Sequence, residues 1–202
     1  MISGSPAITA TDIGKSYGRR RILERITLQA AKGEIVCLVG ENGSGKSTLL
    51  KILAGWISPD RGRVCRFGSI GYCPQEALVF NHLTVGENFR YFAAAYGLPR
   101  WQEASAALAD TFRFADCIRQ RAGELSGGTR QKLNLSLALM ADPALLLLDE
   151  PYAGCDWEAY ERFWEQALAC RRRGRAVIVV SHFIHQNAPV DRVLTLRAGE
   201  MQ

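Results

Sequence analysis

The sequence predicts an α/β fold: a mostly parallel sheet core with an N-terminal antiparallel β layer and an inserted α-helical subdomain. Three observations carry that expectation. Near-continuous apolar segments of strand length, "EIVCLVG", "ALLLLDE" and "AVIVVS", alternate with helical patterns, which is how strands covered on both faces read. Two shorter alternating segments, "PAITATDI" and "ERITLQA", precede the first of these across a Gly-Arg turn and read as an antiparallel pair. From Thr84 onward the periodicity turns helical and stays so until the sheet resumes at "ALLLLDE".

In chain order, "EIVCLVG" gives way to a glycine-rich loop, and "KSTLLKILAG" reads as a helix stopped by Gly55. The stretch "SPDRGRVCRFGSIGYCPQ" has turn chemistry at Pro59 to Gly62 and two short strand candidates, expected as a compact antiparallel layer. Thr84 with Glu87 forms a capping box ahead of "VGENFRYFAAAYG", and Gly97 with Pro99 marks the stop. A further helix is expected from about Trp101 to Phe114, another capped by Ser126 through "GGTRQKLNLSLALM", and a last one from Trp157 to Arg173. No internal repeat or low-complexity tract interrupts the pattern.

At 202 residues the chain suits one well-buried unit. The expected division is 1–75 for the antiparallel layer and phosphate-loop core, 76–141 for the helical subdomain, and 142–202 for the rest of the core. Hydrophobic residues make up 48% and charged residues 22%, which argues against a disordered chain. The longest apolar runs, Ala144 to Leu148 and Ala176 to Val180, fall far short of the ~20 residues of a spanning helix. The opening "MISGSPAITATD" lacks the basic and apolar parts of a secretory signal, so a cytoplasmic location is expected. Six cysteines without a C-x-x-C pair fit reduced thiols rather than a disulfide framework or zinc site. The net charge of +5 owes much to Arg19 to Arg21 and Arg171 to Arg173. Each triplet borders a glycine turn, where solvated arginines are expected more than a nucleic-acid surface.

The chemistry concentrates in two places. Gly40, Glu41, Asn42, Gly43, Ser44, Gly45, Lys46 and Ser47, followed by Thr48, match G-x-x-x-x-G-K-[ST] between a strand and a helix. Glycines there let backbone N–H groups wrap phosphates, Lys46 sets a positive charge on the β/γ oxygens, and the Ser47 hydroxyl can ligate Mg²⁺. The apolar strand "ALLLLDE" ends in Asp149 and Glu150. Asp149 is suited to holding Mg²⁺ and Glu150 to orienting an attacking water, because phosphoryl transfer depends on positioning and charge stabilisation.

The order of "GENGSGKST", "YCPQ", "LSGGT", "LLLLDEP", "AGCD" and "VVSH" resembles the nucleotide-binding subunit of an ATP-binding-cassette transporter along essentially the whole chain. That resemblance implies a P-loop NTPase core of the RecA-like kind, with ATP and Mg²⁺ as cofactors. It also implies a head-to-tail dimer in which Ser126, Gly127 and Gly128 of one subunit cover the γ-phosphate held by the other. Tyr17 matches the adenine-stacking aromatic, Gln75 the glutamine that reaches metal and water and couples to the membrane partner, and Asp156 the aspartate contacting the opposite subunit. Taken by itself, Asp156 also suits a helix N-cap. His182 matches the switch histidine at the γ-phosphate. Thr129, Tyr152 and Cys155 depart from the usual pattern without removing a phosphate, metal or water contact.

The partners implied are a second nucleotide-binding subunit, a homodimer being expected, and a transmembrane permease subunit. The chain would then sit on the inner face of the cell membrane, and no direct nucleic-acid contact is expected. "LTVGENFRYFAAAYGLPR" looks most like exporter subunits of the drug and haem type. The alternative is a soluble cassette ATPase acting on ribosomes or nucleic acid; such proteins usually carry two cassettes or a long coiled-coil insert, and this chain has one phosphate loop and no heptad run.

Overall fold

A computed structural model describes residues 5–181 and 188–202. The chain opens with two twelve-residue strands, β1 (Pro6–Tyr17) and β2 (Arg20–Ala31), paired antiparallel from Pro6 opposite Ala31 to Tyr17 opposite Arg20. Strand β3 (Ile35–Val39) leads through the glycine loop into helix α1 (Lys46–Ala54). Next come β4 (Arg61–Arg66) and β5 (Ile70–Cys73). Helices α2 (Val85–Tyr96), α3 (Trp101–Thr111) and α4 (Gly127–Leu139) follow, two short 3₁₀ turns lying between the last two. The chain then runs through β6 (Leu145–Asp149), α5 (Trp157–Arg172), β7 (Ala176–Val180), β8 (Arg192–Arg197) and β9 (Glu200–Met201).

Two sheets result, ordered β2-β1-β4 and β5-β6-β7-β3-β8-β9. In the larger sheet every pairing is parallel except that of β9 with β8. All five residues of β6 and of β7 are buried, and strand alternation sends them into two cores. Leu146, Leu148, Val177 and Val179 pack with residues of α2 to α5. Leu145, Leu147, Ala176, Ile178 and Val180 pack instead with α1 and the antiparallel sheet. A continuous apolar run is what a strand needs when neither face meets water.

The expected elements form, with two differences. Only the first strand of "RVCRFGSIGYC" joins the antiparallel layer, where Ile8 faces Arg66 and Thr11 faces Arg63. The second, β5, lies parallel to β6 with Ile70 opposite Leu145 and Cys73 opposite Leu148. Gly71 makes this seat possible: a Cβ there would stand 2.8 Å from Pro143 Cγ and would collide with the Ala138 carbonyl at the end of α4. The helix expected through Phe114 stops at Thr111. Arg113 has turned left-handed, with φ 53°, and this brings Phe114 into the core in a stack with Phe89 at 6.4 Å.

Local signals are realised where they fall. Thr84 Oγ1 accepts from the Glu87 N–H at 3.1 Å while Glu87 Oε2 accepts from the Thr84 N–H at 2.8 Å, so the capping box is complete. Gly97 closes α2 in the left-handed conformation. Among the described residues no helix is long and apolar enough to cross a membrane, and all six cysteines are free thiols.

Candidate functional site

The loop between β3 and α1 builds an anion cradle from backbone. Helix α1 starts without a side-chain cap: its N-cap is Gly45 at φ 107°, so the first-turn N–H groups are not claimed by a capping side chain. The loop is clamped from below at Gly40, where a Cβ would overlap the Leu196 carbonyl of β8 and lie 2.8 Å from Ser44 Oγ. Ser44 is buried and its hydroxyl has no hydrogen-bond partner. Lys46 Nζ folds back over the loop and donates to the Gly40 and Glu41 carbonyls at 2.7 and 2.9 Å. Burial lowers the Lys46 pKa, opposed by the nearby charges of Glu150 and Asp149.

The acidic pair stands at the end of β6. Asp149 is 1% exposed, and its Oδ1 has no hydrogen-bond partner. Burial, the largest influence, raises its pKa; a hydrogen bond with the Ser47 side chain works the other way. Glu150 follows in the left-handed region at φ 49°, costly for a residue with a Cβ. Its N–H donates to the Val180 carbonyl at 3.0 Å, and its own carbonyl accepts from the Ala153 N–H at 3.0 Å and from Gln131 Nε2 at 3.4 Å.

These segments converge. A cavity of about 310 Å³ is lined by Asn42, Gly43, Gly45, Lys46, Ser47, Thr48, Gln75 and Glu150. A second, of about 400 Å³, shares Ser47 and Gln75 with it and adds Asp149. A buried carboxylate oxygen without a partner beside a serine hydroxyl suits a hard cation that takes oxygen ligands. Among the described residues no cluster of three His, Cys, Asp or Glu side chains forms a metal cage, and Mg²⁺ usually keeps waters and substrate phosphates as its other ligands.

Tyr17, at the end of β1, is 53% exposed, with the Lys15 ammonium 5.7 Å from its ring centre. Ser126 caps α4, accepting from the Thr129 N–H at 3.2 Å, and is exposed along with Gly127. Gly128 packs against the loop after Glu150: a Cβ there would lie 3.0 Å from the Gly154 carbonyl. Asp156 is an N-cap, accepting from the Ala159 N–H at 2.7 Å, and pairs with Lys132 at 3.3 Å. The Ala159 N–H, with Lys132 as a further cause, holds its carboxyl below the ordinary aspartate value. His182 lies outside the described residues.

Sequence reasoning passed over four residues. Arg20, read as part of a solvated arginine turn, lines the same cavity as Lys46 together with Ile22. The signal was its place three residues after Tyr17, at the start of a strand crossing the cradle. Gln131 and Asn134 sit mid-helix among leucines at 5% and 2% exposure. Polar residues on the buried stripe of a helix were the visible sign.

A family model described as ABC transporter matches residues 23–153. The chain is 33% identical over 208 residues to a protein from Rhizobium sp. (strain N33) named Nod factor export ATP-binding protein I, covering 96% of this chain and 68% of the relative. It is 29% identical to ABC transporter G family member 20 of Dictyostelium discoideum, covering 96% of this chain and 29% of that protein's length. The chain therefore spans less than a third of one relative and about two thirds of the other. A solved ATP-binding subunit of an ABC transporter superposes with a TM-score of 0.90 at 25% identity, over 97% of this chain and 89% of that one.

Proposed function

This chain belongs to the ABC transporter family, and on that premise we propose that it is the ATP-hydrolysing subunit of a transporter, driving movement of a substrate by closing and reopening a head-to-tail dimer. One observation carries the reading: Lys46 and Ser47, Gln75, and Glu150, from three separate stretches of the sequence, wall one cavity, and a second cavity that shares Ser47 and Gln75 adds Asp149.

In this reading the α1 N-terminus and the loop N–H groups hold the β- and γ-phosphates. Lys46 leaves its two loop carbonyls for the phosphate oxygens, a change its low exposure favours because an anion replaces two neutral acceptors. Ser47, Asp149 and Gln75 would hold Mg²⁺, which would offset phosphate charge. Glu150 orients a water so that its oxygen bonds to the γ-phosphorus while the bond to the bridging oxygen breaks, leaving ADP and phosphate. Tyr17 stacks on adenine, and its exposed ring is open to that contact. Ser126, Gly127, Gly128 and Asp156 act on the nucleotide of a second copy, and His182 acts at the γ-phosphate.

The membrane partner docks beside Gln75. There Trp56, Tyr72, Leu78, Phe92 and Tyr96 line an apolar groove between the sheet and the helical segment 76–141, suited to a short cytoplasmic helix of a permease. The place of action is the cytoplasmic face of a membrane. Export is the favoured direction, supported by the rhizobial relatives named Nod factor export ATP-binding protein I.

The test is Glu150→Gln. The variant should bind MgATP with nearly native affinity, almost stop turning it over, and run as a dimer in gel filtration with ATP. Hydrolysis at the native rate by this variant would remove Glu150 from its role.

A further inference from the structure

We infer that Gln131 is a positioning residue for Glu150, and that Asn134 ties it to the segment around Gln75. The inference rests on the ATPase reading above and deepens it.

Gln131 and Asn134 are three residues apart on α4, hence on one face, and that face is buried. A primary amide in a core is retained at a cost unless its donors and acceptors are met. Here they are met by the two loops that matter most. Asn134 Nδ2 donates to the Pro74 carbonyl at 2.9 Å and lies 3.2 Å from Cys73 Sγ, while Asn134 Oδ1 accepts from the Leu78 N–H at 3.1 Å. Asn134 thus grips the chain on both sides of Gln75. Its amide also lies 3.4 Å from Gln131 Oε1, and Gln131 Nε2 reaches the Glu150 carbonyl at 3.4 Å.

The Glu150 end is where this contact has leverage. A left-handed glutamate persists only when its surroundings over-determine it; among the described residues, the Gln131 side chain, the Val180 carbonyl and the Ala153 N–H each hold its peptide. Carboxylate and peptide share one Cα, so a small rotation of the peptide swings the group that aims the water. Misplacement by ~1 Å in such a position can cost about 100-fold in rate. The two 3.4 Å links are long, as catalytic hydrogen bonds often are before substrate binds. Because Ser126 caps α4, one helix joins the Ser126–Gly128 turn, the Glu150 peptide and the Gln75 loop through side chains that touch no substrate.

Steady-state ATPase kinetics of the purified chain test this. Gln131→Met keeps the length of the side chain and removes the amide; kcat should fall ~10-fold or more, while MgATP affinity stays within about twofold of native. Gln131→Asn keeps the amide but withdraws it by one methylene, and should show the same split more mildly; it decides the matter if the methionine variant fails to fold. Asn134→Leu should lower kcat in the same direction, and the double variant should be no slower than the slower single one, as expected of residues acting through one path. Native kcat in the Gln131 variants, or a fall matched by equal loss of MgATP affinity and of thermal midpoint, would overturn the inference while the native chain still hydrolyses ATP. If the native chain does not hydrolyse ATP, the ATPase reading fails and takes this inference with it.

Discussion

The Tyr152 hydroxyl donates to Ser181 Oγ over 2.7 Å, joining the loop that follows Glu150 to the end of β7. The Tyr152 ring is fixed edge-on by Tyr160 and Phe163 at 4.9 and 5.1 Å. Ser181 is itself anchored through its N–H to the Leu38 carbonyl of β3 at 3.2 Å. Burial pushes the phenol up to about 12, so it stays neutral and able to donate at physiological pH. Tyr152→Phe keeps the packing and loses the bond, and should lower stability by about 1 kcal/mol. Tyr152→Ala, which also empties the aromatic cluster, should cost about 3 kcal/mol. Urea midpoints of the two variants check the ordering; a phenylalanine variant as stable as the native chain would show that the hydroxyl contributes nothing.

Arg20 stands across the cradle from Lys46, its Nη2 4.0 Å from where a Cβ on Gly43 would be. An exposed guanidinium near a triphosphate gives a modest, salt-sensitive contribution. Arg20→Ala should weaken MgATP binding about fivefold at low salt, the equivalent of ~1 kcal/mol, and less at high salt. Fluorescent-nucleotide titrations at two ionic strengths would read it. An affinity that is native at both would place Arg20 outside the nucleotide's reach.

Gly40→Ala should destabilise the chain and damage nucleotide binding together. The added methyl meets a backbone carbonyl of β8 rather than a flexible side-chain end, so the loop must shift; overpacking of this kind costs about 1–3 kcal/mol. Thermal midpoint and MgATP affinity should both fall. A native midpoint would mean that the loop accommodates the methyl without strain.

Asp142 accepts from Arg175 at 2.6 Å and Arg173 at 3.3 Å. The Arg175 hydrogen bond, as the main cause, holds its carboxyl below the ordinary 3.8. A depressed folded-state pKa adds stability above the unfolded value, and that stability is lost as pH falls through the folded one. Both partners are partly exposed, so solvent limits the pair to under about 1 kcal/mol. Asp142→Asn should therefore be slightly less stable than the native chain at pH 7, with the gap closing below about pH 3.8. Thermal melts from pH 7 to 3 would show it, and a gap that widened in acid would contradict the sign.

If Ser126 to Gly128 complete the site of a second copy, Lys46→Ala and Ser126→Arg should each be inactive alone. Mixed, they form a heterodimer in which one site carries both lesions and the other is intact, so part of the activity should return. A linked tandem dimer with both lesions confined to one site controls for cooperativity. An active tandem beside a dead mixture, with exchange between chains demonstrated, would exclude action across the dimer.

Much of the site could be read from the sequence because its parts are local. A strand, a glycine loop and a helix in succession place Lys46 and Ser47 over an anion cradle by short-range geometry alone. Capping also acts within three or four residues, so Thr84, Ser126 and Asp156 hold the positions expected of them. Asp149 and Glu150 end a buried strand in sequence and in structure.

Partner choice at long range was decided only in the folded chain. The strand Ile70–Cys73 has the same look whether it joins the antiparallel layer or the parallel core. It joins the core because Gly71 lets α4 lie against it and because Tyr72 and Cys73 then fill opposite sides of the larger sheet. Gln131 and Asn134 were visible as polar interruptions of a leucine-rich helix, but their partners lie 19 and 60 residues away at Glu150 and Pro74. Arg20 reads as a turn residue until β2 is laid across the cradle. Hydrogen bonds and burial within a few residues specify the glycine loop, the start of α1 and the end of β6, so the segments suited to phosphate are legible in chain order alone. Which distant side chains support those segments follows only from how sheet and helices pack together, as the Gln131 and Asn134 contacts do.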